Sequence, residues 1–377
     1  VAIGAIGAIV VIGAIGACAS PTIAAAPPIV RAPSIAAATK RIEWNVEVSS
    51  AFVVDERVCW DGPMTRVMPE NARALPYATA VDDRGRPLVV GDDGIALAPD
   101  DRCVVVRFDL GRAARELDDR ELATMRNGAV IASPDAWLWR PEPWPRDGDG
   151  DGDAHAERGA LRVHTADGIG AALPWPKLRD GRYDVSYATW KMVARAAFGK
   201  IVAHEFDAGG AHFTVSRLPG PLHVSDAGIE RWLASAADAV SLVDGHFPVK
   251  TAQIIVVPID FGGRSVPFGM AVRGGGPGAI ILVSRGAHDD DLVGEWVSVH
   301  ELSHLLIPPV KHGEPWLSEG LASYYQQIAR GRAGLLSEAD AWAGLVDGFD
   351  RGRADGSSEP LSKAAAHMGF PGAGFVH

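Results

Sequence analysis

The stretch His300-Glu301-Leu302-Ser303-His304, followed after a short loop by Pro315-Trp316-Leu317-Ser318-Glu319-Gly320-Leu321-Ala322-Ser323-Tyr324-Tyr325, decides how the chain is read. Residues four apart on an α-helix differ by only about 40° around its axis, so His300 and His304 present their imidazoles to one point. Glu301 falls on the flank of the same face. It is near enough to reach a water held by the histidines but poorly turned to be a third ligand. Leu292, Val293, Trp296, Val299 and Leu306 supply an apolar face. The pattern predicts a helix from about Leu292 to Leu306, opened by Asp289-Asp290-Asp291 and ended by Pro308-Pro309. A second helix, from about Leu317 to about Arg330, carries Glu319 in its first turn. Catalytic zinc takes three protein ligands and leaves one position for water, and His, His, Glu is such a set.

The elements around this pair alternate strand and helix. Ser225 is placed to cap a helix with Ile229, Trp232, Leu233, Ala236 and Val240 on one face, stopping near Gly245. Ile254-Ile255-Val256-Val257-Pro258 is a continuous β-branched run and reads as a buried strand. A second such run, Ala279 to Val283, leaves the turn Gly274-Gly275-Gly276-Pro277-Gly278. A third helix is expected over Ser337 to Val346. Upstream the texture differs. Segments such as Ile42 to Val48 alternate polar and apolar residues, and short runs such as Cys103 to Phe108 recur between Gly, Asp and Pro turns. Residues 41–206 therefore read as a β-rich domain, a sandwich or open barrel, with a helical turn or two within Ala113 to Met125. Residues 207–377 read as the catalytic domain. Their ending, Gly374-Phe375-Val376-His377, suggests a chain cut short at its C-terminus.

The N-terminus reads as an export signal. Val1 to Ala17 are almost wholly Val, Ala, Ile and Gly, and residues 1–19 end in small side chains as a cleavage site does. Ile15-Gly16-Ala17-Cys18 also resembles a bacterial lipobox, in which Cys18 would be lipidated; lipoprotein, cleaved signal and retained anchor stay open. Residues 20–40, rich in Ala and Pro, form a spacer. With Cys18 used by processing, Cys59 and Cys103 remain as a disulfide pair for an oxidising compartment, in the periplasm or cell envelope. The net charge of -11 argues against nucleic acid or anionic lipid as a partner, leaving the membrane only an N-terminal lipid or anchor. Asp147-Gly148-Asp149-Gly150-Asp151-Gly152-Asp153 resembles the start of a calcium loop, but Arg158 stands where a bidentate Glu should close it, so a solvated acidic loop is expected. His204-Glu205 lacks a partner four residues on and belongs to a strand or turn.

Taken together, HELSH and PWLSEGLASYY resemble the gluzincin zinc metallopeptidases, in particular the group of alanyl-type and glycyl-type aminopeptidases. The likeness is firm over about Ile254 to Arg330 and loose elsewhere. It implies an α+β fold, with an N-terminal β-rich domain followed by a thermolysin-like α/β catalytic domain. It also implies one zinc per chain on His300, His304 and Glu319, and Glu301 as the base that activates the metal-bound water against a peptide or protein substrate.

The sequence departs from the family in three places. The loop before Glu319 is short, which makes His312 and Glu314 competing ligands. Aminopeptidases of the family hold the substrate's free amine with an acidic residue on the substrate strand, whereas Gly274 to Val283 has no Asp or Glu, leaving that strand open to pair with a peptide as an edge. The oxyanion donor, a Tyr or His well past the ligand helix in the family, is represented after Glu319 by Tyr324 and Tyr325, with His367 and His377 as weaker candidates. Endopeptidase and aminopeptidase stay open. So do two rivals: a non-catalytic zinc or peptide-binding envelope protein, and a zinc hydrolase of a non-peptide substrate such as an epoxide.

Overall fold

The computed structural model describes residues 42–143, 158–309 and 315–355. The leader with Cys18, the acidic loop Asp147 to Asp153, His312, Glu314, His367 and His377 lie outside the described residues.

Alternation builds the N-terminal part. In Ile42–Val48 the side chains of Ile42, Trp44, Val46 and Val48 are buried, and the residues between them face outward or lie half-buried. This strand pairs antiparallel with Val53–Trp60 and parallel with Gly159–Thr165, inside a seven-stranded sheet. Two four-stranded sheets complete the region, and one core takes side chains from all three. Its largest members are tryptophans: Trp137 meets Trp175 and Phe198 edge-on, at 5.8 and 5.3 Å between ring centroids. The helix expected near Ala113 is Leu110–Leu117, begun by the Asp109 side chain accepting from Arg112 N. Cys59 and Cys103 stand opposite each other on neighbouring strands and form a disulfide.

A five-stranded mixed sheet follows. Val202–Ala208 and Phe268–Val272 are its antiparallel edges, and Ala211–Arg217, Thr251–Ile259 and Gly278–Ser284 run parallel between them. The continuous apolar run at Ile254 to Val257 is explained by burial on both faces. Ile254 and Val256 face the helices, with Ile229 and Leu233 of the helix Asp226–Ser241 in the same cluster. Ile255 and Val257 face the other way, onto Ala129, Ile131, Ala172 and Ala197 of the β-rich region. The helix begins where the Ser225 side chain accepts from Gly228 N, and all five residues expected on its apolar face are buried.

The glycine-rich turn locks the two layers together. A Cβ on Gly274 would lie 2.4 Å from Met192 O, and one on Gly276 would lie 2.4 Å from Pro174 O. Arg273 N and Gly274 N both donate to Val193 O, at 2.9 and 2.8 Å. No helix among the described residues is long and apolar enough to cross a membrane.

Three expectations need correction. The helix predicted from Leu292 is three pieces, a 3-10 turn Asp289–Leu292, the motif helix Val297–Ser303 and a 3-10 turn His304–Leu306 that continues it and carries the second histidine; Gly294 at φ +73° turns the chain between the first two. Val293, expected on the apolar face, is consequently exposed. The last helix is longer than predicted, Glu338–Asp355. Gly278–Ser284, read as the open substrate strand, is paired on both sides; the free edge beside it is Phe268–Val272.

Glu56 sits fully buried in the β-rich core, where both carboxyl oxygens accept from Trp139 N at 3.1 Å. Burial pushes its pKa well above the usual 4.5, with the Trp139 hydrogen bond opposing in part. The unfolded chain therefore releases this proton at lower pH than the folded one, and the stability Glu56 contributes is lost as pH rises from about 4.5 through the folded pKa. Urea midpoints measured against pH should fall more steeply for the wild type than for Glu56→Gln; identical pH profiles would contradict the assignment.

Candidate active site

The ligand helix, Pro315–Arg332, lies against the motif helix, with Ala322 and Ala329 fully buried along it. This docking brings Glu319 to the histidines in spite of the short loop. Its Oε2 is 3.2 Å from His300 Nε2 and 3.5 Å from His304 Nε2. Tetrahedral ligands at about 2.0–2.1 Å from a zinc ion stand about 3.4 Å apart, so these separations fit the ion. His300, His304 and Glu319 form the one such group among the described residues.

The outer hydrogen bonds fit as well. His300 Nδ1 is 3.1 Å from Gln326 Oε1, and His304 Nδ1 is 3.1 Å from Ser318 Oγ. With a metal bound, each acceptor would take the Nδ1 proton and leave the Nε2 lone pair turned inward, the tautomer a metal requires. Sequence reading missed both partners. A signal existed for Gln326, which follows Glu319 by seven residues and so shares its helix face.

Glu301 is buried one residue past His300. Its Oε2 accepts a hydrogen bond from Ala271 N on the edge strand at 2.8 Å. The strand comes this close because residue 269 is glycine: a Cβ there would lie 2.5 Å from Glu301 Cγ and 2.7 Å from Val297 Cγ1. The two carboxyls are pushed apart in acidity. Burial raises the pKa of Glu301, against the pull of His300 and His304. Burial also works to raise Glu319, but hydrogen bonds to His300 and His304 overcome it and hold that group at about 2. One carboxyl is thus suited to carry a proton and the other to stay ionised as a ligand.

A cleft of about 770 Å³ opens over these groups, walled by the edge strand, the ligand helix and the last helix. Tyr324 lines it; Tyr325, in edge contact with the Tyr324 ring at 5.5 Å, is not among the lining residues. His204 and Glu205 lie on the strand Val202–Ala208, outside this cleft.

Two helices delivering His, His and Glu to one point, with a glutamate beside the first histidine and a mixed sheet beneath, define a zinc site of the gluzincin type. One solved structure aligns well enough to show the fold, and two others align less closely. An aminopeptidase N family protein from Idiomarina loihiensis aligns with a TM-score of 0.52 at 13% identity, over 80% of this chain and 56% of its own. A variant of an M1 zinc metallopeptidase from Deinococcus radiodurans aligns at 0.48 and 14%, over 86% and 76%. Yeast LTA4 hydrolase in complex with bestatin aligns at 0.46 and 12%, over 83% and 51%. The chain spans little more than half the length of the first of these, and that likeness carries the fold alone. No family model and no curated protein matches the chain.

Removing an outer partner should loosen the metal without deleting a ligand. Gln326→Ala is expected to weaken zinc binding about 10-fold to 100-fold, read by chelator competition; unchanged affinity would mean that Gln326 does not orient His300. Gly269→Ala should separate the edge strand from Glu301 and lower turnover while zinc content stays near one per chain.

Proposed function

We propose that the protein is a zinc-dependent metallopeptidase that hydrolyses peptide bonds, with Glu301 as general base and proton shuttle. The observation that carries this reading is the pairing of a complete His300, His304, Glu319 set with a buried carboxylate, Glu301, that is not itself a ligand. Zinc bound there would supply a Lewis acid that polarises the scissile carbonyl and makes water acidic enough to attack near neutral pH. The chain's own residues do the rest. His300 and His304, each steadied through Nδ1, hold their Nε2 atoms on the site, and ionised Glu319 balances charge. Glu301 takes the proton of the attacking water and passes it to the leaving amine, a task suited to a carboxyl whose proton affinity burial has raised. The edge strand Phe268–Val272 leaves the part of its outer backbone not taken by Glu301 at Ala271 N to an extended peptide, which would lie along the cleft beside it.

Tyr324 is our choice over Tyr325 as oxyanion donor because it reaches the cleft. The Cys59 to Cys103 disulfide supports export to an oxidising compartment.

The decisive test is zinc content together with quenched-peptide hydrolysis, before and after chelation. Glu301→Gln should retain one zinc and lose turnover by about 10²-fold to 10⁴-fold. Glu319→Ala should lose metal affinity as well. Full activity in Glu301→Gln would overturn the mechanism, and zinc without cleavage of any peptide would overturn the peptidase assignment.

A further inference from the structure

We propose that the cleft selects substrates through a carboxylate, bound by Arg273 at the closed end of the edge strand; the inference rests on the peptidase reading above and narrows its substrate class.

Strand alternation places the side chain. Met270 and Val272 pack on the sheet face that meets the β-rich region. Residues 269, 271 and 273 therefore share the opposite face, the one on which Glu301 lies. That face reads glycine, alanine, arginine: two positions with almost no side chain beside the reacting groups, then one long cation. Arg273 stands two residues beyond Ala271, whose N–H is bonded to Glu301, a distance of about 7 Å along a strand. Arg273 lines the cleft, and its guanidinium donates through Nη2 to His304 O.

The same residue marks where the open edge stops. Arg273 N and Gly274 N both donate to Val193 O, so the β-rich region occupies the backbone positions that an added strand would need next. A peptide pairing with the edge strand ends its register there, against Arg273.

Charge agrees with this placement. Arg264, Arg273, Arg330 and Arg351 all line the cleft, in a chain whose net charge is -11. Apart from Glu301 and Glu319, which serve the reaction and the metal, Asp347 is the sole acidic residue among the lining residues. Arg273 forms no ion pair with a carboxylate among the described residues. A half-buried guanidinium with free donors matches the fork of a carboxylate, and a free ammonium at the same place would be repelled. A carboxylate reaches this point either from an Asp or Glu side chain or from a free C-terminus.

The test is a matched set of quenched peptides on the zinc-loaded chain. The parent is neutral, acetylated and amidated. One arm places Glu for Gln at each position in turn, a second frees the C-terminal carboxylate, and a third frees the N-terminal amine. At least one carboxylate-bearing peptide should exceed the parent in kcat/KM by about tenfold or more, and the free amine should not. The first arm's success identifies a side chain, the second's a terminus. In Arg273→Gln that ratio should fall to near one, and Arg273→Lys should restore part of it. No preference for any carboxylate, or a preference that survives Arg273→Gln, overturns the proposal. Because Arg273 also touches His304 O, zinc content and circular dichroism of each variant accompany the rates, and binding of the labelled peptides to zinc-loaded Glu301→Gln is measured in parallel. If no peptide is cleaved but carboxylate peptides bind in an Arg273-dependent way, the peptidase reading fails and this one stands; cleavage without carboxylate preference gives the reverse.

Discussion

The hydrogen bond from Ala271 N to Glu301 is the contact on which the architecture of the site turns. It ties the free edge of the sheet to the motif helix and fixes Glu301, the carboxyl we propose as general base. To make it, the strand must pass Glu301 with no side chain between, and Gly269 provides the gap. The sheet that carries this edge is clamped on both faces, by helices on one side and by the alanine-rich layer of Ala129, Ala172 and Ala197 on the other. A strand so held has little freedom to drift from the helix. Placing the carboxyl is thus a property of the packed layers rather than of the five-residue motif.

Electrostatics in the site follow from the same burial. Two carboxyls stand near the same two imidazoles, yet one gains proton affinity and the other loses it. The difference is contact: Glu319 is hydrogen-bonded to both rings, whereas the hydrogen bond of Glu301 comes from a backbone amide. A division of labour between base and ligand therefore needs no difference in residue type, only in which atoms each carboxyl touches.

Much of this was legible in the sequence, and the limits are instructive. Helical spacing was enough to pair His300 with His304, and capping chemistry with apolar periodicity was enough for Asp226–Ser241. The continuous run Ile254 to Val257 announced a strand buried on both faces. What escaped depended on contacts distant in the chain. Phe268–Val272 contains a glycine and a methionine and shows no clean alternation, so its role as the free edge emerges only from its neighbours in the sheet. The break at Gly294 was hidden because an apolar pattern continues across it, while the backbone turns. Ser318 looks like an ordinary helix-surface residue until His304 is seen against it, and Gln326 is marked in the sequence only by sharing the helix face of Glu319.

The carbonyl of Val193 gives the two layers a shared history. It receives two amides from the turn that leaves the edge strand, and that turn admits no side chains where it meets Met192 and Pro174. Length changes or bulky replacements on either side of this seam would shift the wall of the cleft together with the strand that ends on it. Variation that retunes what the cleft accepts thus has a route that leaves the metal ligands alone: the exposed side chain of Val193 can change, so long as the backbone beneath it and the buried Ala194 beside it stay where they are.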